Sequence, residues 1–275
     1  MKKILVPSDM SHLANHALEV AVSLAKKFNG KIELLNVKVY PTADVGAYYS
    51  LYGASGISID DAWNQIMTEA KAEMEELISN FSGVEIKPIV EETGDHFVEA
   101  VLEHNADLIV MGSHGAEGFK EFFKGSNSEE VVRMATCPVL VLKDEAKPFQ
   151  PKKVVFAVDL KHEDFIKKAL KLLPIDGAEC HFLYVDYGMK AINYHETEAQ
   201  MAKLADKLGI KNYKAEIYNS TTIEDGILEY SENIGADLIA MYTHGRTGIN
   251  HFFKGSIAED VVNHSKIPVF TYVES

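Results

Sequence analysis

Cysteine is nearly absent from this chain: Cys137, just before Pro138, and Cys180, inside an apolar strand-like run, are the two in 275 residues. They cannot frame a disulfide network or a thiolate metal cluster, and both read as buried thiols. Long uncharged apolar runs are missing as well. That leaves no bilayer-spanning segment and no secretory leader, so the expectation is a cytoplasmic protein that engages no membrane. Positive charge is in deficit, with 27 Lys and Arg against 41 Asp and Glu and a formal net charge of −14. A nucleic-acid backbone would be repelled unless a basic stripe compensated, and no stripe is found. A single anionic nucleotide is not excluded in this way, because backbone N–H groups at a helix N-terminus can supply the attraction locally. Three catalytic or cofactor signatures are also lacking: the phosphate loop GxxxxGK[ST], a GxGxxG after the first strand, and the acidic cluster with partner Lys of a phosphoacceptor receiver.

What is present is a repeat, sought first because it fixes architecture. ADLIVMGSHGAEGFKEFFKGSNSEEVVRMATCPVLVL, from Ala106, lies without gaps over ADLIAMYTHGRTGINHFFKGSIAEDVVNHSKIPVFTY, from Ala236. The openings correspond too, KKILVPSDMS at Lys2 with KKVVFAVDLK at Lys152, but at a larger offset. The first half therefore carries an insertion, placed in the Tyr-, Gly- and Ser-rich stretch 40–59. That stretch either folds over the first crevice, packs between domains or forms a surface loop. The polar segment 143–153, with Pro148 and Pro151, reads as a linker. Two domains are expected, 1–145 and 152–275.

Each half alternates strand and helix patterns, which predicts a mostly parallel sheet covered on both faces. Leu13, Ala17, Ala21, Leu24 and Phe28 recur at helical spacing after the strand ILV, and Gly30 is expected to stop that helix. Five strands per half follow, and the doubly wound α/β fold is expected to take the order 3-2-1-4-5. Its ligand crevice lies beyond the carboxyl ends of strands 1 and 4, where the order reverses. Pro7, Ser8 and Asp9 emerge there, as do Gly112 to Gly115, which open a long loop ending in Gly125-Ser126-Asn127 at a helix start. Unpaired N–H groups, the positive end of a helix dipole and glycines that admit close approach make an anion site. The same glycines and serine also serve as ordinary strand-end and N-cap punctuation, and recurrence in two copies favours the first reading.

Gly112-x2-Gly115-x9-Gly125-Ser126 resembles the nucleotide-binding signature of the universal stress protein family. ILVPSD, ADLIVMGSHG, EEVVRMATCPVLVLK and the two-copy layout resemble that family too, over almost the whole chain. The resemblance implies a tandem member with adenine nucleotide alpha hydrolase-like domains. It implies ATP or a related adenine nucleotide in the crevice, together with a divalent cation such as Mg2+ and no protein side chain as metal ligand. Asp9 and the backbone near Gly112 would then lie by the ribose, the Val37 backbone by the adenine, and Met111 along the base or ribose pocket. Gly115, Gly125, Ser126 and Asn127 would hold the phosphates. In the second half the corresponding residues are Asp159, Val185, Gly245, Gly255, Ser256 and Ile257, but Tyr242 replaces the first glycine. Its side chain either fills the ribose region, forbids a glycine-only backbone, or stacks on a ligand.

His114 and His244 read as loop hydrogen-bonders rather than acids or bases, and His251 and His264 as surface residues. Phe122-Phe123 and Phe252-Phe253 read as loop anchors, with ligand contact as the alternative. The functional expectation is a regulatory, stress-response nucleotide binder. Slow ATP hydrolysis in the first domain, with no catalytic residue evident, and a nucleotide-free protein scaffold are the alternatives. The apolar terminal strands PVLVL and PVFTYV need protection, and in the resembled family such strands pair, which implies a pseudo-dimer within the chain. A homodimer of whole chains fits the sequence, but no specific residue points to it.

Overall fold

The computed structural model describes residues 2–39, 58–94, 96–113, 126–143, 148–189, 191–243 and 257–273. The first half runs β1 (Lys3–Pro7), α1 (His12–Phe28), β2 (Lys31–Val39), α2 (Ile59–Ser79), β3 (Ile86–Thr93), α3 (Phe97–Glu103), β4 (Leu108–Gly112), α4 (Ser126–Met134) and β5 (Val139–Leu142). The second repeats it as β6 (Lys153–Ala157), α5 (Asp164–Leu172), β7 (Glu179–Asp186), α6 (Tyr194–Lys207), β8 (Tyr213–Asn219), α7 (Ile223–Ile234), β9 (Leu238–Thr243), α8 (Ile257–His264) and β10 (Val269–Val273). Nearly all of the 40–59 insert lies outside the described residues. No described helix is long and apolar enough to cross a membrane.

Local chemistry accounts for the elements. Ser11 caps α1 by accepting the Ala14 N–H at 3.2 Å, Lys26 and Lys27 complement the dipole in its last turn, and one face is buried from Leu13 to Ala25. The residue that turns the chain out of α1 is Asn29, left-handed at φ 52, and not the Gly30 expected from sequence. Asparagine tolerates that conformation, while Gly30 donates its N–H back to the Ala25 carbonyl at 2.9 Å. The central strands β1 and β5 are buried along almost their whole length, as strands covered on both faces must be.

All ten strands form one sheet, ordered β3-β2-β1-β4-β5-β10-β9-β6-β7-β8, so each half has the order 3-2-1-4-5. Every pairing within a half is parallel. The exception is the seam, where β10 runs antiparallel to β5 with Val269 opposite Val141, Phe270 opposite Leu140 and Thr271 opposite Val139. One face of the sheet carries a core that includes Ile4, Leu18, Leu24, Phe156, Phe165 and Phe270, beneath α1, α2, α5 and α6. The opposite core, with Val131, Val132, Val261 and Val262, lies beneath α3, α4, α7 and α8, and there α4 packs against α8 over the seam.

Truncating the seam should be expensive: Phe270 is fully buried, and Phe270→Ala is expected to destabilise the chain by about 3–5 kcal/mol in denaturant unfolding. Lys143, immediately after β5, has a buried ammonium with no hydrogen-bond partner among the described residues, and burial pulls its pKa down to about 8. An unfolded lysine holds its proton to about 10.4. Between those values the unfolded chain binds more protons, so stability is expected to rise with pH from about 8 towards 10. Lys143→Met should be more stable at pH 7 and lose that rise, as chemical unfolding at several pH values would show.

Candidate functional site

The crevice of the first half is built by backbone register. β1 pairs with β4 through Ile4 with Leu108 and Leu5 with Ile109, and the same register carried forward sets Ser8 level with Gly112. Pro7 ends β1, buried beside Leu35 of β2. The Ser8 N–H then donates to the Leu35 carbonyl at 2.8 Å, while Asn36 Nδ2 donates to the Ser8 carbonyl at 2.7 Å. Ser8 Oγ accepts the Met10 N–H at 3.0 Å, holding Met10 at φ 67. This tight turn presents Asp9 to solvent with Oδ1 accepting the Ser11 N–H at 3.0 Å, and Oδ2 has no partner among the described residues.

Gly112 sits against α1. A Cβ there would lie 2.5 Å from Leu13 Cγ and 3.1 Å from the Leu13 carbonyl oxygen. Its φ is not in the left-handed region, so the glycine is needed for space and not for an unusual backbone conformation. Ser128, buried in the first turn of α4, donates from Oγ to Ser113 Oγ at 2.9 Å. That bond fastens the start of α4, and with it the backbone of Ser126 and half-buried Asn127, to the end of β4. Pro7, Ser8, Asp9 and Gly112 are thus gathered with the N-terminus of α4. Val37 lies further along β2, and Met111 points into the core that includes Val131 and Val132. Gly115 and Gly125, with His114 and Phe122 to Lys124, lie outside the described residues, as do Gly245, Gly255, Ser256, His244, His251 and Phe252 to Lys254.

The second half has the same turn and different side chains. The Val158 N–H donates to the Leu183 carbonyl at 2.9 Å, and Leu160 takes φ 65, matching Ser8 and Met10. Tyr242, in the position of Gly112, stacks on His162 with ring centroids 4.0 Å apart and planes 4° from parallel. His162 Nδ1 lies 2.6 Å from Asp159 Oδ2, and Asp159 Oδ1 accepts the Lys161 and His162 N–H groups, each at 3.0 Å. Burial alone would raise the Asp159 pKa, but those backbone bonds and the His162 bond hold it below the usual carboxylate range. Helix α5 begins at Asp164, two positions later in the repeat than α1, which leaves room for the tyrosine ring that Leu13 and the first turn would otherwise exclude. Ala258 stands where Ser128 does, and the buried Thr243 Oγ1, in the place of Ser113, has no hydrogen-bond partner among the described residues. Val185 is buried against Gly226 of α7, and Ile257 opens α8. His264 pairs with Glu224 at 2.6 Å on the surface.

The His162–Tyr242 stack and the Ser113–Ser128 link were not anticipated from the sequence. Superposing the two repeats shows Tyr242 over Gly112 and Ala258 over Ser128, yet no periodicity says which rings meet. Burial pushes both thiols up to about 11; Cys180 is buried as expected, whereas Cys137 is half-buried. A cavity of about 390 Å³ lies elsewhere, between α1 and the linker at Pro148, Phe149 and Gln150, and none of the candidate residues lines it.

Comparison with known proteins gives the site its context. The model of the universal stress protein family matches this chain twice, over residues 1–143 and 151–272. A universal stress protein of Methanocaldococcus jannaschii is 30% identical over 159 residues, covering 53% of this chain and 84% of that protein. A relative from Staphylococcus aureus is 32% identical over 169 residues, covering 54% of this chain and 90% of its own. The crystal structure of a universal stress protein from Archaeoglobus fulgidus covers 99% of this chain and 98% of its own with a TM-score of 0.68 at 22% identity, a likeness of fold across both halves.

The close approach at Gly112 yields a direct expectation. Gly112→Ala should destabilise the chain by about 1–3 kcal/mol, because Leu13 and the first turn of α1 must shift to admit the methyl group. Equilibrium unfolding checks it, and Leu13→Ala in the same chain should recover part of the loss in a double-mutant cycle.

Proposed function

The chain belongs to the universal stress protein family, and on that premise we propose that its first domain, 1–145, binds ATP or a close adenine nucleotide in the β1–β4 crevice. The domain acts there as a cytoplasmic regulatory module in stress adaptation. The observation that carries the reading is Asp9: a solvent-facing carboxylate on a rigid turn, level with Gly112, with one oxygen uncommitted among the described residues. Such an oxygen is a ready acceptor for a ribose hydroxyl. Two further features fit the same ligand. The buried Asn36 Oδ1, beside Val37, has no hydrogen-bond partner among the described residues. The first turn of α4 offers N–H groups that no intrahelical carbonyl satisfies, next to the Ser128–Ser113 link.

In this reading Asp9 holds the ribose and the Val37 backbone contacts the base. Gly115, Gly125, Ser126 and Asn127 receive the phosphates, whose remaining charge Mg2+ can neutralise. The second domain, 152–275, and the first act as a pair through β5 and β10.

Thermal unfolding and calorimetric titration test the proposal. ATP with Mg2+ is expected to raise the melting temperature, and Gly125→Val to abolish the shift. Asp9→Ala should weaken binding about tenfold or more, the range for a lost hydrogen bond to a charged group. An unchanged melting temperature at millimolar ATP would refute nucleotide binding.

A further inference from the structure

The two crevices share a backbone turn and differ in what fills it. Strand register puts Tyr184 in the place of Asn36, and the repeat puts Tyr242 in the place of Gly112. Both replacements add an aromatic ring, and both rings pack partly buried against the core beneath α5. Tyr242 then lies flat on His162, and His162 reaches Asp159. A carboxylate has about four acceptor positions. Asp159 has three taken by its own turn, whereas Asp9 has one.

We infer that Asp159, His162 and Tyr242 form an internal latch that closes the second crevice to nucleotide, so that the intact chain takes one nucleotide and release of the latch admits a second. The inference rests on the reading that the first crevice binds an adenine nucleotide. Its physical content is a competition for one carboxylate. A ribose hydroxyl that is to bond Asp159 Oδ2, the counterpart of the open Asp9 oxygen, competes with His162 Nδ1 at 2.6 Å, and His162 cannot swing aside without losing its stack on Tyr242. In the first half the equivalent residues are His12, exposed at the start of α1, and Gly112, which has no side chain to stack. The seam is antiparallel, so the carboxyl ends of the two sets of strands face opposite ends of the sheet, and changes at the latch leave the Asp9 crevice untouched.

The test is a calorimetric titration of the full chain with ATP and Mg2+, read as nucleotides bound per chain. The unsubstituted protein should bind one, Asp9→Ala should lose at least tenfold in affinity for it, and the double variant His162→Ala, Tyr242→Gly should bind two. Combining the double variant with Asp9→Ala should leave one site of full affinity. Two nucleotides on the unsubstituted chain would overturn the latch and leave the first-domain reading intact. A double variant that keeps its circular dichroism spectrum and still binds one would overturn the latch too. None on the unsubstituted chain but one on the double variant would refute the first-domain reading and uphold the latch, and none on either would refute both. Independently of ligand, the His162 ring protons should resonate upfield in the unsubstituted protein and move downfield in Tyr242→Leu. No such difference would mean that the stack does not form.

Discussion

The antiparallel pairing of β5 with β10 is the constraint from which the rest of the architecture follows. A strand such as Val139–Leu142, apolar and buried, exposes a row of unpaired N–H and C=O groups if it ends a sheet. Here each half supplies the other's missing neighbour, so two five-stranded sheets become one of ten. Because the joint is antiparallel, it relates the halves by a pseudo-twofold operation. On one face α4 and α8 meet over the seam. Acidic groups crowd that contact: burial, then Glu259 and Asp260 of α8, push the Glu129 carboxyl upward, against the opposing pull of His264 and of Lys143 at the end of β5. A buried ammonium without a hydrogen bond is costly on its own, and Glu129 offsets part of that cost.

Duplication made the halves alike in backbone, and side chains then separated them. The turn after the first strand is held in both by an N–H donated to the neighbouring strand and by a left-handed residue, Met10 in one and Leu160 in the other. What differs is contact. Gly112 lets α1 press Leu13 against the strand end, while Tyr242 lies beside His162 and α5 begins later, without the cap that Ser11 gives α1. The repeats thus differ together in a helix boundary, a ring stack and the hydrogen-bond state of Asp159, as tight packing requires when a ring takes the place of a glycine.

Much of this was legible in the sequence. The strand and helix succession follows from apolar periodicity, the duplication from an ungapped repeat and the family from the resemblance of the glycine signature and its flanking motifs, and the structure agrees with the expected order 3-2-1-4-5. The end of α1 was misplaced by one residue, since Asn29 and Gly30 both tolerate the turn and only the capping bond from Gly30 to Ala25 decides which takes it. The reason for Gly112 was also open, and the structure gives steric approach to Leu13 as the answer.

By itself, then, the sequence determined what is local or periodic: the identity of each element, the duplication and the chemistry available at each strand end. Local interactions recur at fixed spacings along the chain, and a linear text records them. Tertiary structure decided which of those groups meet: that Ser128 reaches Ser113, that Tyr242 lies on His162, that three donors converge on Asp159 while Asp9 keeps an oxygen open. The first two contacts join distant parts of the chain at 2.9 and 4.0 Å, and the bonds to Asp159 and Asp9 depend on how each turn is set beside its strands, so no pattern of residue types encodes them until the sheet has set the registers.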